Sequence, residues 1–87
     1  MKMIILIVKD QDSDGITQAL TAEKYRITRV ASTGGFLRSG VVTLLLGVRD
    51  ERVESALELV RGKLKPSSEN EKRATLFVIP VEQFEQI

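Results

Sequence analysis

The stretch MIILIV, Met3–Val8, places six apolar residues in a row and is followed by the charged residues Lys9 and Asp10. An apolar run of this length, rich in isoleucine and valine, fits a β-strand. Because consecutive side chains of a strand point to opposite faces, the run indicates a strand that is buried on both sides. We therefore expect this strand at the centre of a sheet.

Two helices are predicted from the spacing of apolar residues. The first follows the QDSDG segment and runs to about Lys24, with Asp12 or Ser13 as its N-cap, since either side chain can accept a hydrogen bond from a free backbone N–H. The second begins at its expected N-cap, Asp50. Its apolar stripe consists of Val53, Ala56, Leu57, Val60 and Leu64. The tail Glu82–Ile87 is long enough for one helical turn.

Three further segments have the composition of strands. Tyr25–Thr33 is rich in β-branched residues and roughly alternating, Val41–Val48 is a second apolar run, and Ala74–Val81 is the last strand. Pro80 has no N–H to donate and should mark a strand end or an edge strand. Lys65–Lys72 contains proline, serine and mixed charge, which predicts a loop.

The resulting order, β-α-β-β-α-β, predicts a single α+β domain over residues 1–87. In the ferredoxin-like arrangement of these elements, two helices pack on one face of a four-stranded antiparallel sheet. The opposite face of the sheet then has no cover from its own chain. Because the first and third strands are apolar at consecutive positions, we expect another subunit to cover that face, since a bare one would be a large exposed apolar patch.

The composition excludes several kinds of site. The chain has 87 residues, no cysteine, no histidine and a net charge of +1. Disulfides and thiolate metal sites are therefore absent, as are the commonest metal ligand and general base. The balanced charge argues against nucleic-acid binding. No apolar run reaches the length of a signal peptide or membrane span, so we expect a soluble, cytoplasmic protein, stabilised by oligomerisation and without a cofactor.

Two chemical motifs are present only in part. The segment DQDSDGITQALT, Asp10–Thr21, begins like a calcium-binding loop but has threonine where the loop needs a bidentate glutamate. The alternative is an acidic helix N-terminus, which the helix dipole favours. Acylphosphatases share the order of elements, but they need a phosphate-binding loop with an arginine after the first strand, where this chain has the acidic KDQDSDG. We therefore expect neither a metal site nor an enzyme.

The segment ASTGGFLRSG, Ala31–Gly40, is the most informative loop. Adjacent glycines let backbone N–H groups approach a ligand, Phe36 offers a flat surface for an adenine ring, and Thr28 has a hydroxyl for a base edge. Positive charge for a phosphate is available from Arg26, Arg29 and Arg38. A hairpin loop whose Phe36 packs on a neighbouring subunit explains the segment equally well, and both interpretations stay open on the residues alone.

Four segments resemble the PII-like cyclic-di-AMP receptor family of bacteria, namely MKMIILIVKDQDS, YRITRVASTGGFLRSG, GVRDERV and ATLFVIPVEQF. The resemblance covers nearly the whole chain except Leu64–Arg73. It implies a ferredoxin-like subunit in a homotrimer whose sheets face inward, with cyclic-di-AMP in clefts between adjacent subunits. It also implies a signalling sensor that catalyses no reaction, needs no metal and passes its ligand state to a protein partner through flexible loops.

The same resemblance implies a set of ligand-binding residues. Arg26 and Thr28 on the second strand would contact the ligand, and Gly47 would allow its close approach to the third strand. The glycine loop would line the pocket through Gly35, Phe36 and Leu37. From the C-terminal end, the pocket would be closed by Phe77 and Gln86.

The chain departs from the family pattern near this pocket. Val41 stands where the family typically has an asparagine that reads an adenine. A buried base edge left without that hydrogen bond costs roughly 1–3 kcal/mol, or about ten- to a hundredfold in affinity. Lys24 also replaces a typical asparagine. Glu85 and Ile87 replace a typical histidine and phenylalanine.

The loop Leu64–Lys72 is much shorter than its counterpart in the family, where it is the element expected to respond to ligand or partner. Together with Val41, this departure supports an alternative function. According to this alternative, the chain is a PII-like trimeric protein-interaction module that binds another nucleotide or small molecule, or no ligand.

Overall fold

A computed structural model of the chain describes residues 1–30, 40–64 and 74–87. It contains four strands, two α-helices and one short 3-10 turn. In chain order the elements are β1 (Lys2–Lys9), α1 (Asp10–Ala22), β2 (Ile27–Val30), β3 (Val41–Val48), the 3-10 turn Asp50–Arg52, α2 (Val53–Lys63) and β4 (Ala74–Pro80).

The four strands form one antiparallel sheet in the order β2-β3-β1-β4. Strand β1 pairs along its length with β3 on one side and with β4 on the other, so that Ile4 lies opposite both Leu46 and Val78. The predicted central position of the Met3–Val8 run is confirmed, and so is the α+β ferredoxin-like fold. Pro80 is the last residue of the edge strand β4, as its missing N–H predicts.

Helices α1 and α2 cover one face of the sheet. Alternate residues of β1 and β3 are buried against them, and the predicted stripe of α2 is confirmed, since Ala56, Leu57 and Val60 are buried and Val53 and Leu64 pack at its margins. The core consists of Ile4, Leu6, Val8, Ile16, Leu20, Tyr25, Val42, Leu44, Leu46, Val48, Ala56, Leu57 and Val60. Removing this apolar surface from water is the main stabilisation of the fold.

The other side of the sheet, which we call the open face, is half-buried or exposed in the single chain. Burial on both sides, which the apolar runs predict, is therefore not achieved by β1 and β3 within one subunit. By strand register the open face consists of Met3, Ile5, Ile7, Thr28, Val30, Val41, Thr43, Leu45, Gly47, Thr75, Phe77 and Ile79.

The predicted N-caps are wrong for both helices. Helix α1 starts directly at Asp10, and Asp12 and Ser13 lie inside its first turn, buried; the Ser13 hydroxyl donates to the backbone oxygen of Asp10 at 2.9 Å. Because strand β1 leads into the helix without a turn, neither side chain is placed to cap it. The continuous helix also rules out the calcium-loop conformation for this segment, and the helix ends at Ala22, two residues before Lys24.

Asp50 is engaged in a different interaction from the predicted cap. It lies in the 3-10 turn that precedes α2, and its carboxylate pairs with the α-amino group of Met1 at 3.0 Å. The hydrogen bond from this amino group lowers the pKa of Asp50. The contact ties the start of the chain to the end of β3.

Two other predicted boundaries differ from the structure. Strand β2 starts at Ile27, because Tyr25 is drawn into the core beside the end of α1. The tail 82–87 forms no helical turn and has no regular secondary structure after β4. Among the residues that the structure describes, no helix has the length and apolar character needed to cross a bilayer.

Candidate functional site

A cleft of about 640 Å³ opens at one end of the open face, where β2, β3, the start of β1 and the C-terminal tail meet. Its wall is mostly apolar, with a few polar groups. The lining residues are Met1, Met3, Arg26, Thr28, Leu45, Gly47, Val81, Gln83, Phe84 and Gln86. Clefts of this size and mixed character are typical of sites for small molecules.

The sheet positions the residues at the floor of the cleft. Thr28 in β2 lies opposite Leu45 in β3, and Gly47 lies opposite Met3 in β1, so their side chains share the open face. Arg26 comes just before β2 and is exposed. The residues Arg26, Thr28, Gly47 and Gln86, which the sequence proposes as ligand-binding, all line this one cleft.

The tail after β4 forms the remaining wall. The backbone N–H of Val81 donates to the carbonyl of Met1 at 3.0 Å, which continues the β1–β4 pairing beyond Pro80 and turns the tail towards the cleft. Gln83, Phe84 and Gln86 then line the cleft, and Phe84 keeps 60% of its surface exposed. An aromatic ring this exposed is available to stack on a planar ligand.

Gly47 keeps the floor of the cleft open. A Cβ at this position would meet the terminal Cε of Met1 at 3.0 Å, so any side chain would compete with Met1 for space in the cleft. The sequence interpretation of Gly47 as a point of close approach is consistent with this geometry.

The other predicted residues lie elsewhere. Phe77 is 52% exposed in β4, the edge strand farthest from β2, and does not line the cleft of its own chain. Gly35, Phe36 and Leu37 lie outside the described residues. Glu85, expected near the ligand, is also not a lining residue; it accepts a hydrogen bond from the Gln83 amide at 3.1 Å.

Arg29 does not line the cleft, and its suggested role as a phosphate ligand stays a prediction. In β2 it lies opposite the buried Leu44, and its guanidinium donates to the Asp10 carboxylate at 2.9 Å, with Asp14 at 3.8 Å. Arg29 therefore fastens β2 to the first turn of α1. Arg38 lies outside the described part of the chain.

Several lining residues were not predicted from the sequence, namely Met1, Met3, Leu45, Val81, Gln83 and Phe84. Leu45 and Met3 could have been found by period-two alternation, since each shares a face with Gly47 once the register is known. Met1 and Phe84 carry no such signal, because the path of the two chain ends is not encoded in any strand pattern.

The groups that line the cleft are suited to binding a planar ligand. An apolar wall with an exposed aromatic ring suits a planar base, and the hydroxyl, amide and guanidinium groups of Thr28, Gln86 and Arg26 can supply hydrogen bonds. Within residues 1–30, 40–64 and 74–87, no group of acidic side chains is placed to hold a metal ion.

Comparison with known proteins addresses the fold and the family. The chain is similar in structure to a functionally unknown protein from Pediococcus pentosaceus ATCC 25745, with 32% sequence identity, a TM-score of 0.77, and coverage of 99% of this chain and 96% of that chain. A family model described as cyclic-di-AMP receptor matches residues 1–71, which include every described element except β4 and the tail. The chain therefore belongs to the cyclic-di-AMP receptor family.

Proposed function

We propose that this protein is a signalling sensor that binds cyclic-di-AMP in clefts between the subunits of a homotrimer and catalyses no reaction. The observation that carries the proposal is the cleft itself. It gathers Arg26, Thr28, Gly47 and Gln86, which are four of the eight residues that the family resemblance implies as ligand contacts. An adenine would lie against the apolar wall, with Arg26 near a phosphate.

A site shared between subunits accounts for the position of Phe77. Within one chain Thr28 and Phe77 lie on opposite edge strands, with β3 and β1 between them. Three strand spacings of about 4.8 Å separate β2 from β4, and a Phe77 contributed by a neighbouring subunit would lie beside Thr28 without the ligand having to span the sheet. The proposal also includes the prediction that Gly35, Phe36 and Leu37 line the ligand pocket.

The open face supports the homotrimer. On this face strand β4 exposes Phe77 and Ile79, each by more than a third of its surface, and the half-buried Met3, Ile5 and Leu45 continue the apolar surface across the sheet. An apolar area of this extent on a small soluble domain is typical of an interface between subunits. Packing three such faces together would bury the second side of β1 and β3.

Calorimetric titration of the purified protein with cyclic-di-AMP tests the function, with ATP and cyclic-di-GMP as controls. We expect heat that saturates near one ligand per subunit for cyclic-di-AMP and weaker or no binding of the controls. A trimer that gives no heat with cyclic-di-AMP would contradict the proposal.

Light scattering at micromolar concentration tests the assembly. We expect a mass about three times that of the chain, and we expect Ile79→Glu to reduce it towards one subunit, since the substitution places a charge in an apolar interface. Gln18→Glu, on an exposed position of α1, is the control and should leave the trimer intact. A monomeric wild-type protein would overturn the homotrimer.

A second candidate function is favoured by Val41. This residue begins β3 on the open face, pairs with Lys9 and is half-buried, and its side chain makes no hydrogen bond to a base. A trimeric protein-interaction module that binds another nucleotide, another small molecule or no ligand would explain the loss of the family's asparagine. A protein that is a trimer in solution but does not bind cyclic-di-AMP would favour this candidate.

A further inference from the structure

A second groove, of about 410 Å³, adjoins the cleft and is lined by cationic side chains. We call it the basic groove; its lining residues are Met1, Lys24, Tyr25, Arg26, Gly47, Val48, Arg49 and Arg52. Met1, Arg26 and Gly47 line both spaces, so the basic groove continues directly from the proposed ligand cleft. The family resemblance implies Arg26 and Gly47 as ligand contacts, and the family has a typical asparagine at the position of Lys24, but the resemblance implies no role for Arg49 and Arg52.

The positive charge in the basic groove is not neutralised. In the described part of the chain no acidic side chain lines it, and the nearby Asp50 carboxylate already pairs with the α-amino group of Met1. Across residues 1–30, 40–64 and 74–87, Lys24, Arg26 and Arg49 have neither an ion pair nor a side-chain hydrogen bond. Like charges brought together without counter-charges attract an anion.

Arg52 is held rigidly at the wall of the groove. Its guanidinium lies 4.0 Å from the centre of the Tyr25 ring and donates to the carbonyl of Glu23 at 2.9 Å. Tyr25 is buried, and its hydroxyl donates to the carbonyl of Arg52 at 3.3 Å, so each residue fixes the other. A guanidinium has five N–H donors, which leaves donors of Arg52 for a ligand.

Lys24 occupies a backbone position that ordinarily belongs to glycine. Its φ is 67°, and it closes the C-terminus of α1: its N–H donates to Thr21 O at 2.9 Å, and that of Tyr25 to Leu20 O at 3.0 Å. Helix ends of this geometry favour glycine, which has no Cβ to crowd the backbone, or asparagine, which tolerates the left-handed conformation through local hydrogen bonds. Lys24 adds a fourth cationic side chain to a groove that already has three arginines, and this concentration of positive charge favours an anionic ligand.

We propose that the basic groove binds the terminal phosphate of an adenine nucleotide whose base lies in the adjoining cleft. This inference rests on the proposed function and extends it to another ligand class. A terminal phosphomonoester carries nearly two negative charges, whereas each phosphodiester of a cyclic dinucleotide carries one and is enclosed in the ring. Hydrolysis of one phosphodiester of cyclic-di-AMP, in which water breaks one P–O bond, gives a linear dinucleotide with a terminal phosphate, and such a ligand would place a base in the cleft and the phosphate in the groove.

The test compares three ligands by calorimetry at low salt: cyclic-di-AMP, 5′-phosphorylated adenylyl-adenosine, and adenylyl-adenosine without the phosphate. For the wild-type protein we expect the phosphorylated linear dinucleotide to bind about tenfold more tightly than the unphosphorylated one. Raising the salt from about 50 mM to about 200 mM should reduce that advantage, since the groove is exposed.

Variants locate the effect. Lys24→Asn removes the charge and suits the left-handed backbone, so the melting temperature should stay the same or rise. The tenfold preference for the phosphorylated over the unphosphorylated dinucleotide should fall to about threefold or less. Lys24→Arg should retain the preference. Lys63→Asn, at the exposed end of α2, is the control and should leave the preference for the phosphorylated dinucleotide unchanged.

The outcomes separate the two proposals. If the protein binds cyclic-di-AMP but binds the phosphorylated and unphosphorylated linear dinucleotides equally well, the basic groove is not a phosphate site. The proposed function is then still supported. Binding of the phosphorylated linear dinucleotide without cyclic-di-AMP supports the groove and overturns cyclic-di-AMP as the ligand. No binding of the phosphorylated dinucleotide, or a preference that survives Lys24→Asn unchanged, also overturns the inference.

Discussion

Gly47→Val is expected to lower the affinity for cyclic-di-AMP about a hundredfold, or about 2.7 kcal/mol. A Cβ added at this position would lie 3.0 Å from Met1 Cε. The branched valine side chain would also fill the floor of the cleft between Leu45 and Met1. The fold should survive, because valine is favoured in strands and the obstructing atom is the end of a flexible side chain. Calorimetric titration measures the loss, with circular dichroism as a check on folding.

Gly62→Ala provides a matched control for Gly47→Val. Gly62 lies in α2, where an added Cβ meets nothing within 4 Å. Alanine should stabilise the helix by about 0.5–1 kcal/mol and leave binding unchanged. If Gly47→Val binds cyclic-di-AMP like the wild type, the ligand does not occupy this cleft, whatever the assembly of the protein.

Leu44→Ala is expected to destabilise the fold by about 3–4 kcal/mol. Leu44 is fully buried, lies opposite Leu6 in β1 and packs under the helices, so truncation leaves a cavity in the only apolar core of the described structure. The loss is a large part of the total stability of a small domain, which is about 5–15 kcal/mol. Urea unfolding followed by far-UV circular dichroism measures it, since the chain has no tryptophan.

Leu45→Ala is the matched control, with the same chemical change at the next residue of the same strand. Leu45 lies on the open face and is half-buried in the single chain, so we expect a cost of about 1 kcal/mol at protein concentrations too low for assembly. In a trimer the cost should grow with protein concentration, since association then contributes to stability. Equal costs for the two variants at all concentrations would contradict the assignment of the two faces.

The strands and helices that form the core could be predicted from the sequence because burial imposes a period on it. The six-residue run Met3–Val8 lies in the central strand, Val41–Val48 is the third strand with the predicted bounds, and the stripe from Val53 to Leu64 faces the core. Helix starts were less predictable. Asp12, Ser13 and Asp50 are residue types that commonly cap helices. Because β1 leads directly into α1, Asp12 and Ser13 lie inside the first turn of that helix. Asp50 pairs instead with the α-amino group of Met1.

The sequence by itself determined the order of elements, the fold class and, through resemblance, the family. It could name Arg26, Thr28, Gly47 and Gln86, but it could not show that they line one cleft, because their meeting depends on strand register and on the path of the tail. The tertiary structure alone decided that Phe77 lies on the far edge strand, that Arg29 is held by Asp10, and that Lys24 joins Arg49 and Arg52. These are contacts between residues distant in the chain, and the packing of the whole sheet against its helices determines them.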